Sequence, residues 1–363
     1  MTETISNSGA FPSGPFPWQD AQWAQLSRAF ASSQLAHAYL LSGSEGLGKS
    51  FFACSFARYV LCLNPIAQSA ENGLVNMNVA CEICMNCLKG GAGNHPDILT
   101  IGLEEGSKNI KIDQIRWLSE FVIRSSHSGG AKVVIILRAH LLNANAANAL
   151  LKTLEEPNSN THVFLVSDHP GRLVATIRSR CQKLVFQAPG ADIAVPWLQA
   201  IIGARNVNSI LEASDMRPLI ALQLAEGDSL QSRAQFLQSI CDIKTGKKSL
   251  QQVLALIEKN GESEVLQHFS GFLSKLTKYS LTGIEENKDD HALQSMYTLL
   301  VPSKEKLLSQ AVASSLALFY TEVESARRQL ASNTNPNPQL IMESILWQWS
   351  KLNLRELNDA RYL

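Results

Sequence analysis

A glycine-rich segment near the start of the chain has the residue types and the spacing that bind phosphate groups. It spans 43–50, reads GSEGLGKS, and matches the pattern G-x-x-x-x-G-K-[ST] at every defined position. In this pattern the glycines let backbone N–H groups surround the phosphates, the lysine contacts the terminal phosphates, and the hydroxyl group can ligate Mg²⁺. The segment therefore predicts binding of ATP or ADP, and a glycine turn that binds nothing is the alternative. The residues that would contact the nucleotide are Gly43, Gly46, Gly48, Lys49 and Ser50.

The acidic residues that would complete a hydrolytic site are missing from the strand where they are expected. The apolar segment 132–136 is followed by Leu137 and Arg138, at the place where an ATPase of this kind has a metal-binding Asp and a Glu that polarises water. Leucine offers no oxygen ligand and arginine stays protonated. No Asp or Glu occurs between 132 and 154, so we expect a pocket without an anionic side chain, poor Mg²⁺ binding and very slow hydrolysis. His140 is the nearby group that could replace the base, and a structural role is favoured for it.

Clustered cysteines form a second candidate site. Cys81, Cys84 and Cys87 have C-x-x-C-x-x-C spacing, and Cys62 can supply a fourth thiol. Four thiolates make a closed tetrahedral Zn²⁺ site, which is structural because no position is left for water or substrate. A redox-active pair or an iron–sulfur cluster is the main alternative. The remaining cysteines are interpreted as small buried apolar residues, and they are Cys54, Cys181 and Cys241.

Strand-like and helical segments alternate from about Gln34 to Phe186. This alternation predicts a parallel sheet with helices on both faces. The phosphate-binding segment lies between a strand predicted at 37–41 and a helix predicted at 51–63, which is the context that the motif requires. After 188–190, the strand pattern ends and amphipathic helices follow.

The pattern predicts an α/β protein of three domains. The first domain, 1–186, holds the parallel sheet, the phosphate-binding segment and the cysteine module at about 62–87. A small helical domain at 187–227 and a larger helical domain at 228–363 follow. In the last domain one apolar stripe is interpreted as the core of a helix, and it consists of Leu307, Leu308, Ala311, Val312, Ser315, Leu316 and Phe319.

The composition limits the function classes. The chain has 32 basic and 32 acidic residues, which argues against a protein that binds DNA by itself, because phosphate neutralisation needs a surplus of Lys and Arg. The first twenty residues contain no apolar stretch of signal-peptide length, and the aliphatic run at 133–137 is too short to cross a bilayer. We therefore expect a cytoplasmic protein without membrane contact.

Several motifs resemble those of the clamp-loader branch of the AAA+ proteins. Segment 148–157 reads NALLKTLEEP, and Ser179-Arg180-Cys181 follows it. Segments 35–40 (LAHAYL), 95–97 (HPD) and 335–340 (NPNPQL) also match. The resemblance implies a RecA-like AAA+ domain with a small zinc module, a helical lid domain and a C-terminal helical collar.

Two subunit types of that family differ at the strand end described above. The gamma/tau subunits carry the acidic Walker B pair, whereas the delta-prime subunits typically lose it and keep Ser-Arg-Cys, so the chain resembles the delta-prime type. The resemblance implies that Arg180 is an arginine finger, which acts in trans on ATP bound to a neighbouring subunit. Pairing of Arg180 with a local acid is the alternative. Arg217 lines up with the sensor 2 arginine, although Ser214 stands where that motif has glycine, and an ordinary surface helix start is equally favoured.

The resemblance also implies the partners. They are the gamma/tau and delta subunits of a five-subunit complex, the sliding clamp that it loads, and primer–template DNA reached through the assembled complex. The chain would then be part of DNA polymerase III holoenzyme and itself neither a polymerase nor an active ATPase. Two other functions stay open. One is an ATP-hydrolysing subunit like gamma/tau, which carboxylates near Lys49 and Ser50 would support, and the other is a zinc-dependent DNA-binding protein.

Overall fold

The structure is a computed structural model that describes residues 14–69, 76–128, 130–156, 160–203, 207–226, 229–282, 296, 310–330 and 336–352. These residues form two compact units. The first comprises Met1–Gly203 with Met216–Ile220, and the second comprises Ala204–Asp215 with Ala221–Leu363. The boundary predicted at residue 227 lies outside the described residues.

The first unit is built on a five-stranded sheet in which every described strand pair is parallel. A separate antiparallel pair consists of β2, Ile66–Ser69, and β3, Asn76–Val79. The sheet strands are β1, Ala38–Ser42; β4, Ile98–Ile101; β5, Lys132–Ile136; β6, Thr161–Ser167; and β7, Gln182–Val185. Their order in the sheet is β4-β5-β6-β1-β7.

Helices cover both faces of this sheet. The helices of the first unit up to residue 203 are α1, Asp20–Ala31; α2, Lys49–Leu61; α3, Met85–Gly91; α4, Ile112–Ile123; α5, Ala144–Glu155; α6, Ala175–Arg180; and α7, Ala191–Ile202. Alternate residues of a strand point to opposite faces, so Tyr39 packs in the core with Phe52 of α2, while Leu40 packs in the core with Leu150 of α5. Because both faces are covered, β1 and β5 are buried along their whole length and are mostly apolar. The predicted α/β sheet with helices on both faces is confirmed.

The strand order decides which loops meet at the carboxyl edge of the sheet. β6 lies between β1 and β5, and Ser42 at the end of β1 pairs with Ser167 at the end of β6. The loops after β1, β5 and β6 therefore leave the same edge of the sheet, where ligands bind in open α/β sheets.

The second unit is helical throughout its described residues. Its helices are α8, Val207–Ala213; the last part of α9, Pro218–Glu226; α10, Ser229–Lys244; α11, Leu250–Asn260; α12, Glu262–Thr282; α13, Gln310–Leu330; and α14, Pro338–Lys351. Two of these helices begin at residues that cap their first turn. Ser249 forms a capping box with Gln252 at the start of α11, and Asn337 caps α14 ahead of Pro338.

Aromatic and aliphatic side chains fill the core of the helical unit. Phe269 contacts Phe319 and Trp349 at ring-centroid distances of 5.7 and 5.3 Å. Val312, Leu316 and Phe319 of the predicted stripe are buried, whereas Leu307 and Leu308 lie outside the described residues. No helix in the described part of the chain is long and apolar enough to span a membrane.

Candidate functional site

The glycine-rich segment forms a tight loop between β1 and α2. Gly43, Gly46 and Gly48 all have positive φ, and Gly48 is the left-handed residue that precedes α2. A Cβ atom at Gly43 would overlap the carbonyl oxygen of Phe186, and one at Gly48 would lie 2.6 Å from the Phe16 ring. Only glycine fits these two positions. The N-terminus of α2 opens onto the loop, so its N–H groups and dipole favour a bound anion there.

Lys49 is held by an acidic residue that the sequence analysis did not identify. Its Nζ atom lies 2.6 Å from Oδ1 of Asp168, the residue directly after β6, and it also donates a hydrogen bond of 2.6 Å to the carbonyl oxygen of Ser44. The side chain of Lys49 is buried, and that of Asp168 is 17% exposed. The expectation of a pocket without an anionic side chain is therefore wrong.

The end of β5 lacks oxygen ligands, as the sequence indicates. Leu137, which is expected to replace a metal-binding Asp, directly follows β5. Arg138 follows it with a φ of 50°, and its Nη2 atom lies 3.7 Å from Oε1 of Glu45 in the loop. Both side chains of this pair are partly exposed, and such pairs contribute little to stability. The charged side chain at the end of β5 is therefore the cationic group of Arg138, where a carboxylate was expected in an active ATPase.

His140 is half-buried and contacts residues at the end of β6. Its Nδ1 atom lies 3.3 Å from the hydroxyl of Ser167, and its ring packs edge-on against His169 at 5.1 Å. Burial lowers the pKa of His140 to about 4, against the opposing effect of the Asp168 carboxylate. The ring is therefore neutral near pH 7, and its contacts are consistent with the structural role favoured for it.

The segment after α8 packs against the tip of the loop. The backbone N–H of Leu219 donates to the carbonyl oxygen of Gly46 at 3.2 Å. A Cβ atom on Gly46 would overlap Ile220 and would lie 3.3 Å from Cβ of Arg217. The backbone of Arg217, the candidate sensor 2 residue, is thus placed beside the phosphate-binding loop.

Aromatic residues cover the other side of the loop. The indole of Trp18 and the amide of Gln19 both donate to the carbonyl oxygen of Leu47, at 3.0 and 2.8 Å. Phe16 stacks on Trp18 at 4.8 Å, and Trp197 of α7 packs edge-on against both rings. These contacts hold the loop between α7 and the segment before α1.

Arg180 lies at the end of α6 and contacts its own chain. Its Nη2 atom is 2.7 Å from Oε1 of Glu155, and Nη1 donates to the carbonyl oxygen of Thr176 at 3.0 Å. The side chains of Arg180 and Glu155 are 37% and 47% exposed, so the ion pair contributes at most about 1 kcal/mol. The local pairing that was the alternative to a finger role is present in this state, and it costs little to break.

The four cysteines at 62–87 come together in one cluster. The Sγ atoms of Cys62, Cys81, Cys84 and Cys87 all lie within 4.8 Å of one another. The Cys62–Cys84 and Cys81–Cys87 pairs are separated by 4.0 and 3.9 Å, close to the sulfur spacing of about 3.8 Å that Zn–S bonds of about 2.3 Å give in a tetrahedron. Backbone N–H groups of Cys81, Cys84 and Cys87 donate to the sulfur atoms, which stabilises thiolates. The donor set fits a four-coordinate Zn²⁺ ion.

The other cysteines lie outside the cluster. Cys181 and Cys241 are buried, as the interpretation of small apolar residues requires, whereas Cys54 is only half-buried. Burial raises the pKa of Cys181 to about 11, so this thiol stays protonated.

Family models match both parts of the chain. The model described as DNA polymerase III, delta subunit, matches residues 18–190, and the model described as its C-terminal part matches residues 227–351. A Pseudomonas aeruginosa protein named DNA polymerase III subunit delta' is 33% identical over 346 residues, which cover 93% of this chain and 98% of that protein. The chain belongs to the DNA polymerase III delta-prime subunit family.

Two further relatives are also named as DNA polymerase III subunits. An Escherichia coli protein with the same name is 34% identical over 227 residues, covering 62% of this chain and 65% of that protein. A Salmonella typhimurium protein named DNA polymerase III subunit tau is 26% identical over 334 residues, covering 88% of this chain and 48% of that protein. The predicted family is confirmed, and the structure confirms a parallel sheet domain followed by helices in the described C-terminal residues.

Proposed function

We propose that the chain is the delta-prime subunit of the DNA polymerase III clamp loader and that it supplies Arg180 to ATP held by a neighbouring gamma/tau subunit. The observation that carries this proposal is a contrast within the sheet domain. The end of β5 has Leu137 and Arg138 where an active ATPase needs two carboxylates, while Arg180 of the Ser-Arg-Cys motif lies partly exposed at the end of α6. Family membership supports the assembly with gamma/tau and delta subunits, and loading of the sliding clamp on primed DNA.

The chemistry of a finger suits Arg180. A guanidinium group stays protonated and presents several N–H donors to the oxygens of a transferring phosphoryl group. The pairing with Glu155 is weak because both groups are exposed, so a γ-phosphate with a higher negative charge can replace the carboxylate. Arg180 then stabilises charge on ATP that another subunit binds.

The chain's own phosphate loop is proposed to hold ATP or ADP through Gly43, Gly46, Gly48, Lys49 and Ser50, with Arg217 beside the loop. Hydrolysis there is proposed to be very slow, because the strand end offers no oxygen ligand for Mg²⁺ and no carboxylate to orient water.

The cysteine cluster is proposed to hold structural Zn²⁺. Cys62 directly follows α2, Cys81 and Cys84 lie between β3 and α3, and Cys87 lies in the first turn of α3. A metal held by these four thiolates ties the module to α2, and the closed ligand set supplies no catalytic chemistry.

A reconstituted loader tests the finger role. Arg180→Ala is expected to lower the rate of hydrolysis at the ATP site that it faces by about 10³-fold or more. The DNA-stimulated ATPase rate of the loader then falls by the part that this site contributes. Arg172→Ala, which removes an exposed arginine before α6, is the matched control and is expected to leave the rate unchanged. Equal activity of the Arg180→Ala and wild-type loaders contradicts the finger role.

One observation favours a second candidate, an ATP-hydrolysing subunit like gamma/tau. Asp168 places a carboxylate beside Lys49, and such a group can serve a metal ion or a water molecule. The two candidates differ in the behaviour of the isolated chain. Turnover that Lys49→Ala abolishes supports the second candidate, whereas background activity unaffected by Lys49→Ala supports the first.

A further inference from the structure

Lys49 is the cation that the phosphate loop would offer to a nucleotide, and its ammonium group is already paired with Asp168. We propose that Asp168 controls the binding of nucleotides to this loop, nucleoside diphosphates and triphosphates alike. Its carboxylate holds the Lys49 ammonium group in the place that a phosphate group would take. This inference deepens the proposed nucleotide site and rests on the phosphate loop having that role. It does not depend on the proposed action of Arg180.

The pair is fixed by the sheet. Ser42 and Ser167 are register partners at the ends of β1 and β6, so Gly43 and Asp168 leave the two strands at the same level. Lys49 reaches back from the first turn of α2 to this point and contacts both Asp168 and the carbonyl oxygen of Ser44. The contact is therefore a consequence of strand register and does not depend on the chance orientation of a surface side chain.

Electrostatics makes the carboxylate an obstacle to nucleotide. Lys49 is 4% exposed and has two oxygen partners at 2.6 Å, so a phosphate must displace a partner that already satisfies the charge. The displaced Asp168 carboxylate then lies close to a polyphosphate of the same sign, in a partly buried place where charges are weakly screened. Removing that one charge is expected to strengthen nucleotide binding.

The loop itself contains one carboxylate, which serves as a comparison with Asp168. Glu45 is 52% exposed in its side chain, and it lies 3.7 Å from Arg138. Removing the charge of Glu45 changes the net charge around the loop by the same amount as removing that of Asp168, without removing the partner of Lys49. Glu45→Gln is therefore the matched control for Asp168→Asn.

The test measures binding of fluorescent methylanthraniloyl ADP and ATP to the full isolated chain, with and without Mg²⁺. Asp168→Asn keeps the shape of the side chain and is expected to tighten binding of both nucleotides by at least about tenfold in the absence of Mg²⁺. Glu45→Gln is expected to change the affinity by less than about threefold, because solvent screens an exposed charge. Adding Lys49→Ala to Asp168→Asn is expected to abolish the gain.

Thermal unfolding of each variant shows that it is folded, and Asp168→Ser is a second variant with a smaller side chain for the case in which Asp168→Asn does not fold. Unchanged or weaker binding of both nucleotides by the folded variants overturns the inference. Weaker binding only in the presence of Mg²⁺ also overturns it, because Asp168 would then be a metal ligand. Failure of the finger role appears separately, in the ATPase of the loader that carries Arg180→Ala.

Discussion

Arg180 and Glu155 join two motifs of the sheet domain in one ion pair, with Nη2 of the arginine 2.7 Å from Oε1 of the glutamate. Glu155 is the last residue of α5, and Arg180 is the last residue of α6. The pair holds the arginine at the surface of the sheet domain, and the exposure of both side chains keeps the pairing weak.

Glu155→Gln is expected to release Arg180 without harming the fold. The free energy of unfolding is expected to change by less than about 1 kcal/mol, because both groups of the pair are exposed. The DNA-stimulated ATPase of a reconstituted loader is expected to equal or exceed that of wild type, since a competitor for the guanidinium has been removed. Glu156→Gln, at the adjacent exposed position, is the control. A loss of ATPase similar to that of Arg180→Ala contradicts this expectation and makes Glu155 a residue that positions the arginine.

Metal analysis checks the cysteine cluster. The purified chain is expected to hold about one Zn²⁺ ion, because the four sulfur atoms form one closed ligand set. Cys84→Ser is expected to lower the zinc content sharply and to destabilise the first unit by at least about 2 kcal/mol, since metal binding contributes to the free energy of folding. Cys54→Ser, outside the cluster, is expected to keep full zinc content. Iron in place of zinc, or a chain that is equally stable after chelation, would rule out the structural zinc site.

Local motifs made much of the sheet domain predictable. The phosphate loop and the C-x-x-C-x-x-C segment were found because their spacing encodes short-range geometry, and the structure indeed places Gly48 before α2 and brings Cys62 to the three other cysteines. The alternation of apolar strands with helices predicted the parallel sheet for a similar reason, because the spacing of apolar residues is set within each single strand or helix.

Asp168 was missed because its role depends on strand order. The sequence motif predicts acids only after β5, whereas the residue after β6 lies beside the loop because β6 is placed between β1 and β5. The topology of parallel sheets could have supplied this signal, because an acid directly after any strand adjacent to β1 reaches the same edge. The pairing of Glu155 with Arg180 is also a contact between separate elements, and spacing along the chain does not encode it.

Stability is expected to depend on pH through His140. Burial lowers the folded-state pKa of this histidine to about 4, below the ordinary value of 6.5. Between these two values the unfolded chain binds more protons than the folded chain, so stability falls as the pH is lowered from about 6.5 towards 4. Above about 6.5 this contribution is fully present.

Chemical unfolding of wild type and of His140→Asn measures that contribution. The pH is varied from about 7.5 to about 4.5, which spans the ordinary histidine pKa of about 6.5. The variant is expected to show a smaller loss of stability towards low pH, because it removes one group that must be neutral in the fold. His127→Asn, which removes an exposed histidine, is expected to keep the wild-type slope. Identical slopes for His140→Asn and wild type would show that His140 is not titrated by unfolding.

The two tryptophans of α14 are expected to differ strongly in their effect on the helical unit. Trp349 is fully buried, contacts Phe269 and Phe319, and donates from its indole N–H to the carbonyl oxygen of Ile240 at 3.0 Å. Trp349→Ala therefore leaves a cavity and an unpaired carbonyl group, and it is expected to cost about 3–5 kcal/mol in the free energy of unfolding. Trp347 is 56% exposed, so Trp347→Ala is expected to cost less than about 1 kcal/mol. Denaturant titration of the two variants compares one buried and one exposed aromatic side chain on the same helix, and equal losses would contradict the packing of α14 described above.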